Sequence, residues 1–90
     1  KKEKKENDES KLARGYYFYS LAENEMNVSI KYLDSITQMM KPNSEDLSFP
    51  ILAYYQKGVL YGKMFNYELA IKNFLIVEEI SHEFNNLTPI

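Results

Sequence analysis

Glu79-Ile80-Ser81-His82 sets a carboxylate and an imidazole three residues apart, the spacing that puts two metal ligands on one helix face in di-metal carboxylate bundles. Such a centre needs a second pair of this kind and two further glutamates projecting inward, and His82 is the only histidine in the chain. His82-Glu83 is not followed by another histidine, so the zinc-protease motif is absent. The expectation is a solvent-facing helix end rather than a metal site. With no cysteine, disulfides and thiolate zinc sites are excluded. No Ser-His-acid context and no glycine-rich phosphate loop occurs, and the scattered carboxylates suit exposed helix faces. The chain therefore reads as non-catalytic and free of cofactors. Asn27-Val28-Ser29 and Asn86-Leu87-Thr88 match the glycosylation sequon, which in the absence of a secretory signal is a chance match.

A net charge of -2 and a pI near 5.4 argue against a nucleic-acid partner, which calls for a basic stripe. The one dense basic run, Lys1-Lys2-Glu3-Lys4-Lys5-Glu6, is interleaved with glutamates and followed by Asn7, Asp8 and Glu9. Residues 1–10 are thus expected to be a charged, poorly ordered N-terminal segment. No apolar run approaches the roughly 18 residues of a membrane span, and no signal peptide is visible, so the expectation is a cytoplasmic chain with no membrane partner. The first residue is Lys1 rather than Met, which suggests a segment of a longer protein.

The elements that must position any binding residues are helices. Hydrophobic residues make up 44% of the chain, with only 3 Gly and 3 Pro, a balance that favours an all-α fold over a turn-rich β-sandwich. Apolar residues recur at helical steps from Lys11 to about Asn24, with Ser10 as a candidate N-cap, and again from Asn27 through Val28, Ile30, Leu33, Ile36 and Met39/Met40 up to Pro42. Residues 42–50 read as a loop in which Ser48 caps a third helix and Pro50 occupies its first turn. That helix runs to about Lys63. A fourth begins near Tyr67, presents Ala70, Ile71, Phe74, Val77 and Ile80 on one face, and fades by Asn85. Short and long connections alternate, which gives two antiparallel helix hairpins over residues 11–90.

The hairpins look like copies of one another, about 11–41 and 51–84. Ser29-Ile30-Lys31 and Ala70-Ile71-Lys72 lie 41 residues apart, and aligning them superposes Leu33 on Phe74, Ile36 on Val77 and Met39 on Ile80. The second copy, with Tyr54, Lys57-Gly58, Tyr61, Ala70 and Phe74, resembles a tetratricopeptide repeat, and Tyr67 fills an aromatic place at the start of its second helix. Lys57 stands where that pattern has leucine, and His82 where it has proline. The resemblance implies that Gly58 and Ala70 let two helices approach closely while Tyr61 and Phe74 fill the space beside the crossing. In the first copy two registers are open. One sets Tyr17 at the place of Gly58; the other uses Gly15 and accepts two extra residues before Ser29. The 41-residue spacing also resembles the elongated repeats of bacterial peptide-pheromone receptors of the Rap, Rgg and PlcR type, which implies the peptide-sensing part of a regulator.

Tetratricopeptide arrays line a concave groove with the first helix of each hairpin. The resemblance therefore implies a groove bearing Lys11, Arg14, Phe18, Leu21 and Ala22 from the first copy and Leu52, Tyr55, Val59, Gly62 and Lys63 from the second. The polar residues of the family's carboxylate clamp are missing, with Tyr55 and Val59 in their places. The expected partner is a peptide or protein segment with apolar or aromatic side chains, with Lys11, Arg14 or Lys63 available to an acidic group. A purely structural self-association or spacer role is the alternative. Leu75, Ile76, Ile80, Phe84 and Leu87 extend the apolar surface of the last helix beyond what one neighbour can cover, which points to further repeats, a homodimer or helix exchange. Consecutive Tyr16, Tyr17, Phe18 and Tyr19 must point to several sides of one helix: Tyr16 or Tyr17 toward its partner helix, Phe18 toward the groove, and Tyr19 toward another element or solvent.

Overall fold

The computed structural model describes residues 3–40 and 48–87, with side chains described for residues 8–40 and 48–83. Four α-helices follow in order: α1 (Glu3–Ala22), α2 (Met26–Met39), α3 (Ser48–Lys63) and α4 (Tyr67–Leu87). The fold is all-α, built of two stacked helix hairpins. Helix α1 packs on α2, and α3 on α4; α3 also packs against α2 and touches α1, whereas α4 contacts α3 alone among the described helices. The shortest dimension of 18 Å is about two helices thick, so every helix keeps one side at the surface.

The core lies where the first hairpin meets α3. Leu33, Ile36 and Met40 of the α2 segment are sealed against Ala13 of α1 and Ala53 and Leu60 of α3. Buried positions 29, 30, 33 and 36 on α2 follow the three- and four-residue steps that place side chains on one helical face. Buried polar groups are satisfied within the helices that carry them or by a neighbour. Ser29 donates to the Ser20 carbonyl at 2.8 Å across the α1–α2 contact, and Asn73 Nδ2 donates to the Leu69 carbonyl at 2.8 Å. The two hairpins are further tied by an ion pair between Lys57 Nζ on α3 and Asp34 Oδ1 on α2, 2.7 Å apart, with Lys57 lying over the Tyr54 ring.

Three boundaries differ from those expected. Helix α1 starts at Glu3, so Ser10 is interior to it and not its N-cap, and helix covers most of the charged 1–10 segment. Lysine and glutamate are strong helix formers, so a mixed-charge run extends a helix that its apolar pattern alone would start later. Helix α4 continues to Leu87, past Asn85. Ser48 is the first helical residue of α3, with buried Pro50 third, where its missing N–H leaves nothing unpaired. The expected end of α2 at Pro42 lies outside the described residues; α2 ends at Met39, with Met40 N–H returning to the Ile36 carbonyl.

The surroundings of Gly58 and Gly15 differ. A Cβ built on Gly58 would fall 2.6 Å from the Phe74 ring, so α4 lays that ring directly on the α3 backbone. Gly15 has nothing within 4 Å of such a Cβ and marks no close approach. The position 41 residues before Gly58 is Tyr17, which is half-buried against the cluster containing Leu33, itself 41 residues before Phe74. The pair reverses its sizes: small under large in the second hairpin, large against medium in the first.

Candidate functional site

On α1, positions 11, 14, 18 and 21 fall on one side of the helix at about 100° per residue, and on α3 positions 52, 55, 59 and 63 do the same. Both stripes stay accessible. Lys11, Arg14, Phe18 and Leu21 are exposed, as are Tyr55 and Lys63, while Leu52 and Val59 are half-buried; none of the eight is enclosed in the core. Ala22 is also exposed and Gly62 half-buried.

The α3 stripe lies between the faces that α3 turns to its neighbours. On one side Gln56, Leu60 and Lys63 share a cavity of about 260 Å³ with Ser20 and Leu21 of α1. On the other, Gly58 carries the Phe74 ring, and Tyr55 packs on the same ring with centroids 5.6 Å apart. Leu21 and Lys63 are therefore brought together across the α1–α3 junction. Phe18 stands next along the α1 stripe, its ring tilted on Tyr17 at 5.9 Å. Lys11 and Arg14 continue the stripe toward the N-terminal half of α1. Chemically, the surface combines exposed aromatic and aliphatic side chains with three cations.

The four consecutive aromatics separate as their helical positions require. Tyr16 and Tyr19 both pack on Tyr32 of α2, at 6.4 and 5.5 Å between centroids, Tyr17 is half-buried at the core, and Phe18 is 57% exposed. What the sequence pattern missed is Phe74. Read as a core filler at the helix crossing, it stays 38% exposed and joins Tyr55 at the edge of the stripe. Its proximity to Gly58 was legible; its open side was not, because that depends on what packs beyond α4.

Glu79 and His82 do line one hollow on α4, of about 460 Å³, together with Leu75 and Glu78. No group of three or more His, Cys, Asp or Glu side chains among the described residues converges as a metal site would require. Among the described residues no helix is long and apolar enough to cross a membrane. Comparison with protein-family models, curated proteins and solved structures returns no match.

Proposed function

We propose that this chain is a non-catalytic interaction module of tetratricopeptide type that binds a peptide or protein segment along the α1 and α3 stripes. The observation that supports this most directly is the uncovered apolar content of a surface between two packed helices: Phe18, Leu21 and Tyr55 are 57%, 49% and 52% exposed. Exposed large side chains grouped on one surface are a signature of docking, since single scattered ones carry little meaning. The partner that fits is a segment with apolar or aromatic anchors and an acidic group, the anchors lying on Phe18 and Tyr55 and the acid reached by Lys11, Arg14 or Lys63. The reading extends to the peptide-sensing part of a bacterial regulator, on the strength of the 41-residue repeat spacing.

A peptide-array screen followed by calorimetry on the best binders tests it. Phe18→Ala and Tyr55→Ala are each expected to weaken binding by about tenfold or more, near 1.4 kcal/mol. Binders indifferent to both substitutions would remove the stripe from the site. A self-association role is the second reading, favoured by a different surface, the outer face of α4.

A further inference from the structure

Among the described helices α4 contacts only α3, and its far side carries Tyr67, Ile71 and Leu75 at 60%, 58% and 57% exposure. On α2, by contrast, Ile30, 41 residues before Ile71, is 7% exposed, within the cluster that α1, α2 and α3 share. Toward the C-terminal end, the same stripe of α4 turns acidic with Glu78 and Glu79, which line the hollow beside Leu75. None of these carboxylates is in an ion pair among the described residues.

Helix α1 presents the complementary order. Its exposed stripe begins basic, with Lys11 and Arg14, and ends apolar, with Phe18 and Leu21. Arg14 precedes Leu21 by seven residues, and Ile71 precedes Glu78 by seven, about 10.5 Å along a helix in each case. Laid antiparallel, the stripes match in register: Leu21 meets Ile71, Phe18 meets Leu75, and Arg14 and Lys11 meet the Glu78–Glu79 pair. Setting α4 against α4 instead would bring its acidic half onto the apolar half of its mate.

From this complementarity we propose that the uncovered face of α4 docks a second copy of this chain through its α1 stripe, antiparallel, and that the reciprocal contact closes a two-fold dimer. Each chain offers one basic-apolar and one apolar-acidic helix, so a two-fold pairing uses both contacts and leaves no sticky surface over. Apolar pairing supplies the contact, while the charges fix direction and register and suppress the alternative pairing. The inference does not rest on peptide binding, but Phe18 and Leu21 serve both surfaces, so a bound peptide and the second copy compete.

Sedimentation equilibrium on the 90-residue chain tests the proposal, with circular dichroism confirming that each variant keeps its helicity. The wild type is expected to dimerise reversibly. Lys11→Glu with Arg14→Glu, and separately Glu78→Lys with Glu79→Lys, should each weaken the dimer about tenfold or more. An equimolar mixture of the two variants should recover association, because both mixed contacts again pair opposite charges. If a reversal unfolds the chain, Leu75→Gln at an exposed site reads the same interface and should also weaken it. A monomeric wild type, open-ended growth, loss of association with the α4 pair alone, or a mixture that stays apart would each overturn the pairing.

Discussion

The second helix of the first hairpin is covered and that of the second hairpin is not, although the two carry much the same apolar spacing. Ile30 and Leu33 of α2 are buried in the cluster that α1, α2 and α3 share, whereas Ile71 and Phe74 of α4 keep 58% and 38% of their surface. The difference lies in the neighbour rather than the helix. An amphipathic helix with a broad apolar face needs two partners to bury it, one from its own hairpin and one from the next. Among the described helices, α2 has both, and α4 has only α3.

That contrast makes its largest prediction in the core. Leu33→Ala should cost about 2–5 kcal/mol, because it removes a fully buried side chain from among well-packed neighbours. Ile71→Ala, on an exposed site, should cost no more than about 0.5 kcal/mol in the monomer. Urea denaturation of both variants gives the comparison directly. Equal losses would mean that something covers α4 in solution, and a concentration dependence of the Ile71→Ala effect would identify that cover as another copy of the chain.

The two glycines divide the hairpins a second time. Gly58→Ala drives a methyl group into the Phe74 ring; the ring stands at the surface and can tilt away, which limits the net loss to about 1–2 kcal/mol. Gly15→Ala meets open space inside a helix and should instead stabilise by about 0.5–1 kcal/mol. Pairing Gly58→Ala with Phe74→Leu should regain part of the loss, since the shorter side chain clears the new methyl. Thermal unfolding that moved in the same direction for both glycines would show that the α1–α2 and α3–α4 crossings are built alike, contrary to the size reversal at Tyr17 and Gly58.

Helical periodicity and turn residues were enough to read the four helices, their pairing into hairpins and the face of α2 that goes inside. Those features depend on neighbours in the chain and on apolar spacing, which the sequence carries locally. The start of α1 was misplaced because Lys and Glu sustain a helix without contributing to its apolar pattern. The choice between Gly15 and Tyr17 stayed open because both residues suit a helix, and the space around each depends on how the helices pack. Among the candidate residues, Phe18 and Tyr55 could be placed on stripes by counting, but the shared cavity of Leu21 and Lys63 depends on how two hairpins stack. No local pattern specifies that.

The connections within the hairpins differ too, and they carry the smallest effect. Between α1 and α2, Glu25 occupies the N-cap without a side-chain capping bond, and its N–H instead receives help from the Glu23 carboxylate at 3.3 Å. Between α3 and α4 the connection, residues 64–66, is as long as 23–25 but closed by different hydrogen bonds. Phe65 N–H donates to the Gly62 carbonyl and Asn66 N–H to the Tyr61 carbonyl, the paired bonds of a Schellman ending, while Asn66 Oδ1 accepts from Leu69 N–H at the start of α4. This ending needs a left-handed residue, and Phe65 supplies it at φ 65°, where glycine is the usual choice. Its ring gains little in return: it is 77% exposed and touches Tyr67 edge-on, with centroids 6.3 Å apart. Relief of the backbone strain in Phe65→Gly exceeds the added entropy of the unfolded chain, so the variant should be more stable by about 0.5–1 kcal/mol. Asn24→Gly, in the first connection, has no such strain to release and should gain nothing, a difference that chemical denaturation can resolve. A loss of stability in Phe65→Gly would instead mean that the Phe65 ring is held by a contact beyond Tyr67, and its disappearance on dilution would assign that contact to the second copy beside α4.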